Sequence, residues 1–268
     1  MKHRQTDKAS TTLRALGALR TLPRPVYGHA SGLPNNAISQ HHSHAWGQLS
    51  YAAQGVLAIA TDRGRFVAPP LCAVWIPAGL SHGVSRGPDT QIRSLYIDPA
   101  VAPRSWTGCR VLAVTPLLRE LIRAFGELPV EYEEEGPAGR LVTVLLDQLA
   151  CAPEMGLILP WPQDPRLRKL CNELQSHPDR CKTLLHYSAR LKISERTLSR
   201  LFLAQTGLSF RLWRQRSRLL AALPLLERGE RVTDVAIACG YDSMPAFIAA
   251  FREQMGATPR EMFPVSQG

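Results

Sequence analysis

The stretch Leu184-Leu185-His186-Tyr187-Ser188, followed by Leu191-Lys192-Ile193 and then by Ser194-Glu195-Arg196-Thr197-Leu198-Ser199-Arg200-Leu201-Phe202, has a second copy about 48 residues downstream. That copy runs Val232-Thr233-Asp234-Val235-Ala236-Ile237-Ala238-Cys239-Gly240-Tyr241 and continues Asp242-Ser243-Met244-Pro245-Ala246-Phe247-Ile248-Ala249-Ala250-Phe251-Arg252. Repetition at a fixed interval marks a duplicated structural unit. In each copy a short apolar helix runs into a tight turn, and a polar cap opens a second helix. Ser188 and Ala236 are small where two helices must cross closely, and Gly240 supplies the positive φ that the turn favours. Ser194 is a suitable N-cap. Leu198 with Phe202, and Phe247 with Phe251, stand four residues apart and anchor each second helix to its unit. Glu195, Arg196, Thr197, Ser199 and Arg200 are left exposed on the first of these helices, and such side chains hydrogen-bond to base edges and phosphates. One copy alone reads equally well as a packed hairpin with solvated charges. Two copies, a connecting helix, and Arg211, Arg214, Arg216 and Arg218 nearby favour two helix-turn-helix units at about 183–204 and 231–254.

Charge placement points the same way. Of a net charge of +10, residues 166–268 carry 17 Lys and Arg against 9 Asp and Glu, and the rest of the chain 15 against 13. Positive charge concentrated at one end suits a polyanion, because neutralised phosphates release counterions. Charge alone would suit a membrane surface as well. No stretch approaches the roughly 18 uninterrupted apolar residues of a membrane span, and the basic tail 1–24 lacks a signal-peptide core, so the protein is expected in the cytoplasm with no membrane partner. Cys72, Cys109, Cys151, Cys171, Cys181 and Cys239 form no C-x-x-C pair and read as reduced, mostly buried thiols, with Cys171 and Cys181 as a conceivable redox pair.

Outside the duplicated region the pattern changes. Gln48–Ala53, Gly55–Thr61, Arg65–Val67, Cys72–Ile76, Gly83–Ser85 and Gln91–Ile97 read as short strands, with Asp62-Arg63-Gly64 as a hairpin turn. Strands so closely spaced favour a small barrel or sandwich over 25–105. Thr115 caps a helix with Pro116 in its first turn and Leu117, Leu118, Leu121, Ile122 and Phe125 on one face. Leu141, Val142, Leu145, Leu146 and Leu149 make a second stripe, after an acidic loop over 131–139. The stripes of this helical segment, 106–152, either cover one side of the barrel or form a dimer interface, since periodicity does not say what a face is buried against. Residues 153–165, with Pro153, Pro160, Pro162 and Pro165, read as a Pro-rich linker, poor material for helix or central strand.

The C-terminal residues resemble the AraC/XylS transcriptional regulators over Arg166–Phe263: Ser194 to Thr206-Gly207, the Gly240-Tyr241 turn, and Phe251-Arg252 to Met255-Gly256-Ala257-Thr258-Pro259 all fit. The resemblance implies a seven-helix double unit over 166–264, with recognition helices about 34 Å apart entering adjacent major grooves. Carried over position by position, base contacts fall on Arg196, Ser199 and Arg200, and then on Met244, Pro245, Ala246 and Ala249. Ser194, Glu195, Thr197, Asp242 and Ser243 complete the expected DNA-facing set. The second group departs from the usual polar pattern and offers no side-chain donor or acceptor for base readout. Lys192 replaces a small turn residue, and Pro224 should kink or shorten the connecting helix.

His41-His42-Ser43-His44-Ala45-Trp46-Gly47-Gln48 and Pro77-Ala78-Gly79-Leu80-Ser81-His82 resemble the two motifs of a cupin barrel, H-x-H with a carboxylate and P-x-G-x-x-H. His42, His44 and His82 match, Gln48 stands in place of the family's Glu, and Arg86 in place of its Asn. The expected effector pocket comprises His42, His44, Trp46, Gln48, Trp75 and His82. The three imidazoles are candidate ligands for a transition metal, which favours nitrogen donors, against the plainer reading of a polar pocket wall near Trp46, Trp75 and Tyr51.

The whole reads as a two-domain α+β protein, an N-terminal cupin-like β-barrel with flanking helices followed by an all-α double helix-turn-helix. Its function reads as an AraC-type, sequence-specific transcriptional regulator, activator or repressor, responding to a small-molecule effector, and not an enzyme. The expected partners are promoter or operator double-stranded DNA, the effector, RNA polymerase and a second copy of the chain. The alternative is a metal-dependent cupin enzyme carrying a DNA-binding tail; the missing Glu and the duplicated motif argue against it.

Overall fold

A computed structural model of the chain describes residues 21–28, 41–86, 90–180 and 182–264. The basic tail, apart from residues 21–24, and Cys181 lie outside them. The described residues fall into two compact units: one holds residues up to Thr61 with Phe66–Gly156, the other Asp62–Arg65 with Leu157 onward.

The first unit is built on strands. They are β1 (Val26–Tyr27), β2 (Gly47–Gln54), β3 (Leu57–Thr61), β4 (Gly64–Ala68), β5 (Cys72–Ile76), β6 (His82–Arg86), β7 (Gln91–Ile97), β8 (Arg110–Ala113) and β9 (Glu154–Met155). A six-stranded sheet takes the order β1-β7-β2-β5-β8-β9, and β4, β3 and β6 run side by side in a second sheet. The expected barrel is therefore two separate sheets. The expected strands all form, but β1, β8 and β9 were not anticipated; all three are short, and β8 and β9 are set within stretches read as helical segment and linker. β9 sits at a sheet edge, where a flanking proline such as Pro153 costs no ladder bond.

Strand alternation sorts β2 into two faces. Leu49 and Tyr51 face one way and, with Ala73, Trp75, Leu95, Ile97 and Leu112, form a buried core with two helices. Those helices are α1 (Pro116–Phe125), capped by the Thr115 side chain, and α2 (Pro137–Ala150). Leu118, Ile122 and Phe125 of α1 and Val142, Leu145 and Leu149 of α2 are buried in that core. The stripes thus cover the sheet, except that Leu117, expected on the first of them, is exposed, because it falls a residue off the buried Leu118–Ile122–Phe125 line; Val144 is exposed as well. The opposite face of β2 carries Gln48 and Ser50, also buried, and this is the face on which the N-terminal site is built.

From Leu157 onward the second unit is helical apart from β10 (Ile158–Pro160), after which Trp161 N–H donates to the Arg63 carbonyl. Its helices are α3 (Pro165–Ser176), α4 (Leu184–Leu191), α5 (Glu195–Thr206), α6 (Phe210–Glu227), α7 (Val232–Ala238), α8 (Met244–Met255) and α9 (Pro259–Met262). These are the seven expected among the described residues. The unit begins before Arg166, because Leu157 and Leu159 are buried and the Trp213 indole donates to the Pro160 carbonyl at 2.8 Å. Pro224 does not end α6, which continues to Glu227. Trp213, Phe202, Tyr187, Phe247 and Phe251 are fully buried at its centre. No helix among the described residues is long and apolar enough to cross a membrane.

Candidate nucleic-acid interface and histidine pocket

The two copies fold alike to the level of single hydrogen bonds. In the first, α4 closes with Lys192 N–H donating to Ala189 O and Ile193 N–H to Ser188 O. In the second, Gly240 N–H donates to Ile237 O and Tyr241 N–H to Ala236 O, the same positions shifted by the repeat. Lys192 and Gly240 both take positive φ, 56° and 76°. Gly240 also lies where a Cβ would sit 2.7 Å from Pro178 O and 2.8 Å from Arg218 Nη2, so only glycine fits without displacement. Lys192, like Leu71 at φ 69° in the first unit, is an L residue in the left-handed region, a conformation that costs about 1–2 kcal/mol.

Each recognition helix starts at a serine. Ser194 Oγ accepts from Thr197 N–H and Ser243 Oγ from Ala246 N–H, satisfying donors that the first helical turn leaves open. Leu198, Phe202, Phe247 and Phe251 are wholly buried, which turns the opposite faces outward. Ser194, Glu195, Arg196, Ser199 and Arg200 are exposed and Thr197 half-buried; Asp242, Ser243, Met244, Pro245, Ala246 and Ala249 are exposed. The expected DNA-facing residues thus share an open surface within each copy.

The remaining arginines behave differently. Arg214 donates to Lys182 O at 2.7 Å, Arg216 to Ile158 O at 2.9 Å and Arg218 to Pro178 O at 3.0 Å. Burial lowers the Arg216 pKa from its ordinary value. Three of the four arginines that sequence reasoning counted toward the DNA face are engaged with backbone carbonyls inside the unit. No sequence signal distinguishes such an arginine from one left for phosphate.

In the first unit, His42 and His82 exchange both main-chain hydrogen bonds, at 3.0 and 2.9 Å, and Gly79, at φ 76°, donates its N–H to His44 O. This pairing brings together segments almost forty residues apart. The ring centroids of His42 and His82 lie 4.3 Å apart, those of His44 and His82 5.1 Å, and those of His42 and His44 5.8 Å. One ligand atom from each of the three lies within 4.8 Å of the others. Trp46 stacks on His44 at 5.6 Å, and Tyr96, which sequence reasoning missed, meets both rings edge-on.

Hydrogen bonds set the ring orientations. His44 Nδ1 lies 2.7 Å from Trp46 O and His82 Nδ1 2.9 Å from Leu80 O. A carbonyl only accepts, so both Nδ1 atoms carry a proton, and both rings turn Nε2 the other way. His82 Nε2 is buried without a hydrogen-bond partner. Burial holds His82 in the neutral form, its pKa lowered to about 4. His44 Nε2 lies 2.8 Å from Gln48 Oε1, the Gln48 amide donates to Ser50 Oγ at 2.8 Å, and Ser50 and Ser94 hydroxyls meet at 3.3 Å. The β2/β7 register, which sets Ser50 opposite Ser94, creates this polar row.

Trp75 is the exception among the expected pocket residues. It pairs with Leu49 across β2 and β5, packs in the core beneath α1 and α2, and donates its indole N–H to Trp106 O. Gly47 lies against its ring, where a Cβ would collide with the Trp75 indole. Strand parity places it on the face away from the histidines.

Comparison with known proteins agrees with this division. Residues 25–150 match the AraC-like ligand binding domain, and residues 187–263 a helix-turn-helix domain. The HTH-type transcriptional regulator NimR of Escherichia coli K12 is 35% identical over 218 residues, 81% of this chain and 80% of that protein. The arabinose operon regulatory protein of Salmonella typhimurium is 26% identical over 230 residues, 80% of this chain and 82% of that protein. Among solved structures, the DNA-binding domain of AdpA, a global transcriptional factor in complex with a target DNA, is 31% identical over 37% of this chain and 89% of that one, with a TM-score of 0.35.

Proposed function

This chain belongs to the AraC family of helix-turn-helix transcriptional regulators, and on that premise we propose that it reads its DNA mainly through Arg196, Ser199 and Arg200, with Met244, Pro245, Ala246 and Ala249 seating the second helix. The observation that carries this is the outward placement of Arg196 and Arg200 on the Ser194-capped end of α5, while Arg214, Arg216 and Arg218 are tied to backbone carbonyls. An arginine on the exposed face of a recognition helix can make a bidentate contact to guanine O6 and N7.

The N-terminal unit acts as the effector domain, with His42, His44, Trp46, Gln48 and His82 lining the site and Tyr96 beside them. Effector binding there alters affinity for promoter or operator DNA. Gln48 supplies no carboxylate, and the site is read as sensing rather than catalytic. The protein works in the cytoplasm, as a homodimer, with RNA polymerase as a further partner at the promoter. The test is selection of binding sites from random DNA with the full-length protein, followed by affinity measurements at 50 and 200 mM salt. We expect one preferred motif and an affinity that falls by about a thousandfold or more across that range, as for proteins contacting several phosphates. A flat selection, or a motif left intact by combined Arg196→Ala and Arg200→Ala substitution, would refute the reading.

A further inference from the structure

We propose that His42, His44 and His82, with the Gln48 side-chain oxygen, bind a single divalent transition-metal ion; the inference rests on the reading of this pocket as the effector site and gives that site its chemistry. His44 and His82 each spend Nδ1–H on a main-chain carbonyl, Trp46 O and Leu80 O. That leaves His82 Nε2 buried without a hydrogen-bond partner, and His44 Nε2 facing Gln48 Oε1 at 2.8 Å. The Gln48 side chain is itself tied down, its amide N–H donating to Ser50 Oγ at 2.8 Å. His82 Nε2 is thus a buried acceptor with no donor, a cost that folding does not ordinarily leave uncompensated, and it is aimed into the histidine cluster. A cation among the three histidines satisfies His82 Nε2, His44 Nε2 and Gln48 Oε1 together.

The surroundings suit a resident ion. Histidine ligands commonly donate their second ring nitrogen to a carbonyl, which fixes tautomer and ring orientation, and both His44 and His82 do so. The three histidines are held by mutual main-chain bonds rather than by loose loops: His42 to His82 in both directions, and Gly79 to His44. Their ligand atoms, within 4.8 Å of one another, need only small ring rotations to reach the separation of about 3.4 Å expected for nitrogens held at about 2.0–2.1 Å by one tetrahedral ion. Three imidazoles and an amide oxygen favour Zn, Ni, Co, Cu or Fe over Mg or Ca. The donor set is neutral, so the ion keeps its full charge, and replacing the Gln48 amide by a carboxylate should tighten binding.

The experiment uses full-length protein stripped with a chelator and titrated with Co(II), followed by its visible ligand-field bands and by equilibrium dialysis. We expect one equivalent to bind and Zn(II) to displace it. His42→Ala and His44→Ala, shown to be folded by their thermal transitions, should weaken Co(II) binding by at least about tenfold. Gln48→Glu, which changes no volume in the core, should strengthen it by about tenfold, and this variant keeps the test alive if a histidine variant fails to fold. Folded wild-type protein that binds no stoichiometric Co(II), or binding unchanged in both His44→Ala and Gln48→Glu, would overturn the proposal. Either result leaves the effector reading standing if protection of operator DNA still responds to a small molecule through Trp46 or Gln48. Metal bound by these ligands with no effect of Zn(II) or of any small molecule on DNA affinity would instead uphold the metal site and count against the effector reading.

Discussion

The two helix-turn-helix copies share a scaffold and differ in what they show to the outside. Their turns close with the same pair of main-chain hydrogen bonds, their recognition helices start at Ser194 and Ser243, and both helices end at a glycine of positive φ, Gly207 and Gly256. The second turn is one residue longer, with Asp242 inserted before the cap. Outward, however, α5 carries Glu195, Arg196, Ser199 and Arg200, and α8 carries Met244, Pro245, Ala246 and Ala249. Packing constrains the inner face of both copies to the same answer, while the outer face is free to specialise. One copy can therefore discriminate bases while the other contributes position, a division that contact with phosphates and base edges ordinarily makes within a single helix.

The largest effect should come from the shared scaffold. Phe202 and Phe251 are both wholly buried, each packed on a neighbouring aromatic ring, Phe210 and Phe247. Phe202→Ala and Phe251→Ala should each cost about 3–5 kcal/mol, the usual range for a buried aromatic truncated to alanine. Chemical denaturation of the full-length protein measures it, and a loss at one site but not the other would show that the copies are not equivalent in packing.

Next come the turns, which the comparison makes into opposite experiments. Gly240→Ala adds a Cβ 2.7 Å from the Pro178 carbonyl in a conformation that L residues avoid, and should destabilise by about 2 kcal/mol or more. Lys192→Gly removes the same conformational cost and should stabilise by about 0.5–1 kcal/mol, offset in part by glycine's freedom when unfolded. Matching changes of the same sign would mean that backbone conformation does not govern these two turns.

The parts legible in the sequence were those where local chemistry decides the outcome. Ser194, Gly240 and the i, i+4 pairs specify their own geometry, so the helical unit could be drawn before any contact was known. The histidines were legible as a set because the two motifs carry them, although the main-chain pairing that joins them is long-range. What stayed hidden depends on tertiary placement. Trp75 reads as a pocket residue by proximity in sequence, and strand parity sends it to the other face. β9 and β10 are too short and too close to prolines to show a period. Arg214, Arg216 and Arg218 look like DNA contacts until their carbonyl partners are known.

Arg200→Ala should then remove about 1–3 kcal/mol of discrimination at one base pair, since a bidentate guanine contact has no substitute among the neighbouring side chains. Site selection with wild-type and variant protein would show the motif flattened at a single position, and Arg196→Ala should flatten an adjacent one. Affinity for unrelated DNA should change much less, because the other phosphate-contacting groups are untouched.

The smallest effect is expected at Met244, and it is the one that decides how the copies divide their work. Met244 is 40% exposed at the first position of α8, and its sulfur accepts a long hydrogen bond of 3.5 Å from the Thr233 hydroxyl on the preceding helix. It can touch a thymine methyl or pack on a sugar, but it has no donor with which to tell one base pair from another at the level of a bidentate contact. Met244→Ala should therefore weaken binding by less than about 1 kcal/mol, nearly evenly across sequences, as a positioning contact does. The selected motif should keep its half-site beneath α8 with at most a slight relaxation at one A·T position. If Met244→Ala erases a strongly preferred half-site while Arg200→Ala leaves the motif intact, then the apolar helix is the reading head, and the division between the two copies runs the other way.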